Sequence, residues 1–363
     1  MFGETMHKPF LLAALEQAWL GRGMCAPNPS VGAVAVQYGK IIAQSFHHGA
    51  GSAHAEARLL AQLPNNCKDV TIYVTLEPCN HWGKTPPCVN AIIDSGVSSV
   101  VYAYSDPNPL VSVNNTPALL RAHDISVLHY PIPEVDQFYE SYRYWTRTRK
   151  PWVTVKLAQT FDGKIAGDMG KTALISNSQC FEFTHQHRLH SDMILTTART
   201  INQDDPLLNV RLPDYECAKP LAIIDARLTA NEQARIFTSA RHCHIYHDKQ
   251  YTPSHARDKC SFYPISSQSK QLNLHDVIEH IGQLGCHDLW VEAGATLFDA
   301  LHKHHLVNRT YVYLAPKLLG ESAIPAYHRQ NVFEQAGSIA WLPMGDNMIA
   351  QFDWQEDACS QDL

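Results

Sequence analysis

Hydrophobic positions first recur at helical spacing near the N-terminus. Over residues 7–19, Leu11, Leu12, Leu15, Ala18 and Trp19 predict a helix, and Gly21 and Gly23 end it. Two strands follow, 31–36 and 40–46, around Tyr38-Gly39. Residues 53–63 read as a helix. Residues 69–76 form a β-branched strand stopped by Pro78, and residues 88–95 a short helix capped by Gly96. Strands at 99–104 and 125–129 continue the alternation. Pro131 and Pro133 then precede an aromatic-rich helix at 135–145. The run Arg147-Thr148-Arg149-Lys150-Pro151 is charged and ends in proline, which predicts a solvated joint rather than a nucleic-acid contact. It divides the chain into residues 1–146 and 147–363.

The second half alternates as well. Strands are expected at 152–157, 193–196, 221–224, 242–246, 288–292, 310–314 and 348–354. Helices are expected at 178–190, 274–284 and 296–302. The pattern is α/β with a largely parallel sheet. Residues 214–218 and 247–269 carry no clear period, and no repeat or low-complexity tract interrupts the chain.

Composition narrows this picture. A chain of 363 residues with 45% hydrophobic content supports two cores. A net charge of -6 supplies no global basic field for nucleic acid. The apolar stretch at 10–20 is interrupted by Glu16 and Gln17, and no run reaches the length of a membrane span. Ten cysteines on a chain this long, with no secretory pattern before them, predict reduced thiols and a cytoplasmic setting. Among 21 histidines, His242-His244 and His302-Lys303-His304-His305 read as surface runs rather than metal sites.

One cluster carries chemistry. His54-Ala55-Glu56 is followed by Pro78-Cys79 and then Cys88. One imidazole and two thiolates are three good zinc ligands, and three protein ligands leave a fourth position open, as catalytic zinc requires. Glu56, two residues from His54, could move protons on and off an activated water. His-x-Glu with Pro-Cys and a further Cys is the zinc deaminase pattern, although its usual Cys-x-x-Cys is here widened to eight intervening residues. Cys25 and Cys67 could close the site with a fourth thiolate, but a closed site would have no use for Glu56.

Longer motifs surround the cluster. Pro27-Asn28-Pro29-Ser30-Val31-Gly32, the run from Thr75 to Cys88 and Asp106-Pro107-Asn108-Pro109 resemble the deaminase half of the bifunctional riboflavin-biosynthesis deaminase/reductase family. The wide Cys-to-Cys insert is normal in that family. The resemblance implies that Asn28, His47, His81, Lys84 and Asn108 face the substrate, with His48 as the alternative to His47. The ammonium of Lys84 suits a phosphate or a pyrimidine carbonyl.

No Gly-x-Gly-x-x-Gly follows a strand in the second half. The resemblance nonetheless extends there. Lys156-Leu157-Ala158, Asp162-Gly163-Lys164, Asp204-Asp205-Pro206, Val291-Glu292-Ala293-Gly294 and Ala315-Pro316-Lys317-Leu318-Leu319-Gly320 look like the reductase half. It implies a cytidine-deaminase-like domain followed by a dihydrofolate-reductase-like domain. It also implies that Ala158, Leu174, Thr200, Asp204, Gly294, Ala295, Thr296, Leu297, Phe298, Asp299 and Ala300 line an NADPH site. Lys156, Thr172, Arg188, Leu208, Arg211 and Glu292 would meet the substrate, with Arg188 and Arg211 suited to its ribose phosphate. Leu174 stands where some relatives carry tryptophan, and Thr172 where some carry serine.

The implied function is two steps of riboflavin synthesis. Zinc-dependent deamination of 2,5-diamino-6-(5-phosphoribosylamino)pyrimidin-4-one is followed by NADPH reduction of the ribose. The expected partner is that small pyrimidine ribose phosphate, not nucleic acid and not a membrane. A homo-oligomer is allowed but not required. A nucleoside or tRNA deaminase with an appended domain, and a non-catalytic zinc module, are the alternatives.

Overall fold

The computed structural model describes residues 6–64, 67–80, 82, 86–109, 115–168, 171, 173–268, 271–292, 294–328 and 332–354. The chain forms two compact units, Met1–Arg149 and Lys150–Leu363.

The first unit is built on five strands: β1 (Gly32–Gln37), β2 (Lys40–Phe46), β3 (Val70–Leu76), β4 (Ser99–Tyr104) and β5 (Ser126–His129), in the order β2-β1-β3-β4-β5. β1 runs antiparallel to β2 and β3, while β3, β4 and β5 are parallel. Alternate residues serve opposite faces. Ala33, Ala35, Ile72, Val74 and Val100 pack beneath α2 (Ala55–Leu60), α3 (Cys88–Ser95) and α4 (Thr116–Ala122). Val34, Val36, Tyr73, Val101 and Ala103 pack under α1 (Lys8–Gly21), α5 (Pro133–Phe138) and α6 (Glu140–Thr148). α1 packs tightly on Gly32, since a Cβ there would lie 2.0 Å from the Ala14 carbonyl oxygen.

The helix expected at 135–145 is two helices. Tyr139 leaves helical geometry at φ -94°, ψ 8° and links α5 to α6. α6 runs through Thr148, and Arg149 ends it in the left-handed region at φ 59°. The joint expected from Arg147 is therefore helical in its first two residues. The division between the units falls after Arg149, beyond the expected position after Thr146.

The second unit holds a nine-stranded sheet. Its strands are β6 (Trp152–Thr160), β8 (Met193–Thr197), β11 (Pro220–Ile224), β12 (His242–Asp248), β13 (Cys260–Ile265), β16 (Asp288–Glu292), β17 (Arg309–Ala315), β19 (Ala336–Met344) and β20 (Asn347–Trp354). The order is β13-β12-β11-β8-β16-β6-β17-β20-β19. The seven strands from β13 to β17 are parallel, and β20 and β19 add an antiparallel hairpin. Short pairs β7 (Lys164–Asp168) with β18 (Ala323–Pro325), β9 (Val210–Leu212) with β10 (Tyr215–Cys217), and β14 (Ser267–Gln268) with β15 (Gln271–Leu272) lie outside it.

Both faces of the central strands of the large sheet are covered. Val153, Val155, Leu195 and Val291 pack against α10 (Leu274–Gln283) and α11 (Ala295–Lys303). Ile194, Trp290, Tyr311 and Tyr313 pack on the other side with α7 (Ser178–His190), α8 (Ala198–Asp204) and α9 (Ile236–Ser239).

Two histidine runs differ from expectation. His242 and His244 are half-buried on β12, where they bond Ser261 Oγ at 2.9 Å and the Tyr263 hydroxyl at 3.1 Å. His302 is buried between Phe298 O and Thr310 Oγ1, at 2.7 and 2.8 Å. Strand and helix periodicity turns these rings inward, so neither run is a simple surface tract.

Candidate active sites

The first site sits where chain segments leave the sheet. His54 is the N-cap of α2 and Glu56 lies in its first turn. Cys79 follows β3 directly after Pro78, and Cys88 opens α3. Their three ligand atoms lie within 4.8 Å of one another. His54 Nδ1 is 3.2 Å from Cys88 Sγ and 3.5 Å from Cys79 Sγ. Ordinary zinc bond lengths in a tetrahedron separate such atoms by roughly 3.5–3.8 Å, so the donor set fits zinc in chemistry and in spacing. The Cys88 amide donates to Cys79 Sγ at 3.3 Å, an arrangement that favours a thiolate at Cys79. The hydrogen bond from the Cys88 thiol lowers the Cys79 pKa, and Cys88, as donor, is pushed up.

Glu56 is 4% exposed. Burial first, and then the Cys79 charge, push its carboxyl up to about 7 before any metal charge is added. His47 is 2% exposed, and its ring meets that of His54 edge-on with centroids 5.3 Å apart. Its Nδ1–H donates to Ala53 O and its Nε2 accepts from Asn28 Nδ2, both at 3.3 Å. Burial lowers its pKa, which disfavours the charged ring. His48 points elsewhere: it is exposed and stacks on Phe46. Of the two adjacent rings, His47 is therefore the one in the site.

Asn108 lies past the end of β4, the parallel neighbour of β3, and so at the same sheet edge as Cys79. Its amide donates to Asp106 Oδ1 at 2.9 Å, and Asp106 also accepts from the Tyr142 hydroxyl. His81 and Lys84 lie outside the described residues. Cys25 and Cys67 are engaged elsewhere, donating to His47 O at 3.1 Å and to Pro64 O at 2.8 Å.

The second site occupies the carboxyl edge of β8, β16 and β6, the position where open α/β sheets bind ligands. Lys156 and Glu292 are register partners on β6 and β16. Arg188 on α7 grips Glu292 with two bonds, Nε to Oε1 at 2.6 Å and Nη2 to Oε2 at 3.0 Å. Trp290 Nε1 donates to the same carboxylate at 2.9 Å. Burial would raise the Glu292 pKa, but the charge and hydrogen bonds of Arg188, joined by the charge of Lys156, hold it down to about 2. Burial lowers the Lys156 pKa against the opposing pull of Glu292. Arg188 Nη1 also donates to Asn209 O at 2.9 Å. Arg188 thus directs its fork at Glu292 in this geometry. Arg211, on β9, is the arginine with N–H groups to spare.

The remaining expected residues take different parts. Gly294 is the exposed N-cap of α11 at φ -79°, with no side chain capping the helix. A Cβ there would meet only Ile165 Cδ1, at 3.9 Å. This leaves an open cradle of backbone N–H groups that fits a dinucleotide pyrophosphate. Thr296 is exposed beside it, and Ala300 is half-buried. Ala295, Leu297, Phe298 and Asp299 point into the core, so only their backbone can face a ligand. Thr200 and Asp204 are one helical turn apart on α8, the first bonded to Thr197 Oγ1 and the second exposed. Ala158 follows Lys156 on the same face of β6. Leu174 is 85% exposed, and its carbonyl accepts from Lys317 Nζ at 2.6 Å. Leu208 is buried at φ 46°, so its side chain belongs to the core. Thr172 lies outside the described residues. Sequence reasoning missed His185 and Asn209, which carry no motif and become visible only through the arginines they hold.

Known proteins resemble both units. Residues 151–347 match the family model described as RibD C-terminal domain, and residues 4–104 match the cytidine and deoxycytidylate deaminase zinc-binding region. Riboflavin biosynthesis protein RibD of Haemophilus influenzae is 33% identical over 341 residues, 92% of each chain. The chain belongs to the RibD family. Escherichia coli RibD is 34% identical, covering 86% of this chain and 89% of its own. The solved structure of Acinetobacter baumannii RibD superposes with a TM-score of 0.83 at 26% identity, covering 97% of this chain and 99% of that one. The diaminohydroxyphosphoribosylaminopyrimidine deaminase/5-amino-6-(5-phosphoribosylamino)uracil reductase of Thermotoga maritima gives a TM-score of 0.84 at 26% identity, with the same coverage. Membership makes this chain a bifunctional deaminase and reductase of riboflavin biosynthesis. A deaminase-like zinc domain precedes a dihydrofolate-reductase-like domain, as the sequence motifs imply.

Proposed function

We propose that the first unit hydrolyses the exocyclic 2-amino group of 2,5-diamino-6-(5-phosphoribosylamino)pyrimidin-4-one. The second unit then reduces the ribose of the product, 5-amino-6-(5-phosphoribosylamino)uracil, to the ribityl phosphate. The observation that carries the reading is the convergence of His54, Cys79 and Cys88 beside a buried Glu56. Zinc held by those three residues would supply the Lewis acidity that activates water at neutral pH. Glu56 takes one proton from the attacking water and gives it to a ring nitrogen, then moves the second proton of that oxygen to the amino group, which leaves as ammonia as the C2 carbonyl forms. A buried carboxyl beside the metal ligands can accept and donate a proton in turn. His47 and Asn28 present neutral polar groups to the pyrimidine, and Asn108 approaches from the neighbouring strand end.

In the second unit NADPH would supply the hydride for C1' of the sugar. The uncapped start of α11 at Gly294 holds its pyrophosphate, with Thr200 and Asp204 on α8 beside it. Lys156 and Glu292 face the sugar as a fixed charge pair, and Arg211 anchors the ribose phosphate. A reducing cytoplasm suits this chemistry, since all described cysteines are free thiols and two of them must stay free as ligands.

Glu56→Gln tests the first step. The variant is expected to keep its zinc by metal analysis and to lose ammonia release by about 10²–10⁴-fold. Near-normal ammonia release from a zinc-loaded variant would remove Glu56 from this role.

A further inference from the structure

Arg211 is held more firmly than a loop arginine needs to be. It lies on β9, in a two-stranded hairpin whose other arm, β10, carries Glu216 directly opposite. Three separate contacts fix it. Its backbone N–H donates to His185 Nδ1 at 2.7 Å. Its guanidinium lies over the Phe181 ring, 5.6 Å from the centroid. Its Nη1 donates to Asn209 Oδ1. Phe181, His185 and Arg188 are spaced four and three residues apart on α7, so one helix face supplies the ring, the acceptor and the neighbouring arginine.

Asn209 is the centre of this arrangement. It is 5% exposed. Its carbonyl oxygen accepts from Arg188 Nη1 at 2.9 Å, its Oδ1 from Arg211, and its Nδ2 donates to Glu216 Oε1 at 2.7 Å. The bond to Glu216 orients the amide, because only the NH2 end can donate to a carboxylate. Oδ1 is thereby turned toward Arg211. One residue thus joins the arginine that holds Glu292 to the arginine left open for an anion.

We infer that Asn209, oriented by Glu216, is a positioning residue that aims Arg211 at the substrate phosphate and so sets the preference for phosphorylated over unphosphorylated ribose. This rests on the proposed reading of Arg211 as the phosphate anchor. Asn209 would act only through Arg211, so its loss should weaken binding of the phosphorylated substrate and leave the hydride-transfer step alone. A hydrogen bond to a charged group carries enough energy for a change of at least about tenfold.

The test uses the full-length enzyme with the deaminated pyrimidine ribose phosphate and, in parallel, its dephosphorylated counterpart, following NADPH consumption. Asn209→Ala is expected to raise KM for the phosphorylated substrate about tenfold. Its kcat, and both parameters for the dephosphorylated compound, should stay within about twofold. Glu216→Ala should reproduce part of the KM effect. Glu216→Gln should not, because its side-chain oxygen still accepts from Asn209 Nδ2. Arg211→Ala separates the two layers of the argument. If it leaves KM for the phosphorylated substrate unchanged, the phosphate anchor is wrong and the inference falls with it. If Arg211→Ala raises KM while Asn209→Ala and Glu216→Ala do not, the anchor stands and the positioning role is overturned. Equal losses with both substrates in a thermally destabilised Asn209→Ala would also overturn it, in favour of a purely structural residue.

Discussion

Glu292 shows how one side chain can be legible in type and misread in partner. Its place after a buried strand marks a functional carboxylate in the sequence, but nothing there says that Arg188, on a distant helix, will take both its oxygens. Arg188 reads from sequence as a phosphate fork, and tertiary structure spends that fork inside the protein. The zinc cluster is different. His54, Cys79 and Cys88 are recognisable because metal chemistry restricts both residue type and order, and the fold brings together the residues that the pattern names. The Glu292 pairing has a pH signature. Its folded pKa, about 2, lies below the unfolded carboxylate value. Its stabilising contribution is therefore present above the unfolded pKa and is lost as pH falls toward 2. Glu292→Gln has no such proton to take up. Between about pH 5 and pH 2 the stability difference between wild type and variant should shrink by about 3 kcal/mol, read by chemical denaturation at each pH. A difference that stays constant over this window would mean that Arg188 does not hold the carboxylate down.

At the scale of elements, the best-read segments are those with one unambiguous signal. Cys88–Ser95 has a glycine stop at Gly96, which adopts φ 74°. Lys40–Phe46, Ser178–His190 and Asp288–Glu292 take the bounds that their residue patterns predict. β19 escapes such reading because its residues are exposed on both faces, so no alternation marks it. It exists through pairing with β20 across the Gly345 turn, at φ 64°. β9 and β10 are three residues each, too short to show a period, although β9 carries Arg211. Glycines at element boundaries are a sharper test of the packing. A methyl at Gly32 would strike the α1 backbone at Ala14 O, 2.0 Å away, and at Ala18 N, 2.4 Å away. Backbone cannot swing aside as a side chain can. Gly32→Ala should destabilise the first unit by about 3 kcal/mol or more, seen as a lower midpoint for that unit's unfolding. Gly294→Ala meets no such wall and has an ordinary φ. It should leave the midpoint within about a degree or two but weaken NADPH binding, because the methyl would occupy the opening proposed to hold the pyrophosphate. Equal behaviour of the two variants in unfolding would contradict this account of α1 and α11.

At the scale of the whole molecule, each unit has its own sheet, its own layers of helix and its own site. The large cores are separate: one set of buried side chains runs from Leu11 to Tyr142, and another begins at Val153. The boundary after Arg149 comes where a left-handed residue ends α6 and Lys150-Pro151 starts the next segment. Neither proposed reaction draws a catalytic group from the other unit. The two activities should therefore separate at both the residue and the chain level. Asp204, exposed at the end of α8, belongs to the second unit and is not one of the three residues that gather as the metal-ligand cluster. Asp204→Ala is expected to keep ammonia release at the wild-type rate while NADPH binding weakens, and Glu56→Gln to keep reduction of supplied deaminated substrate. A cut after Arg149 extends the test to folding. Residues 1–149 should bind zinc and release ammonia, and residues 150–363 should bind NADPH and reduce the deaminated product. The cut belongs there and not after Thr146, because the earlier position would remove the last turn of α6 and the Arg149 ring contact with Trp145, 4.7 Å from its centroid. A fragment ending at Thr146 should accordingly unfold at lower temperature than one ending at Arg149. If both point variants lost both activities while remaining folded, a single shared site would have to replace the two described.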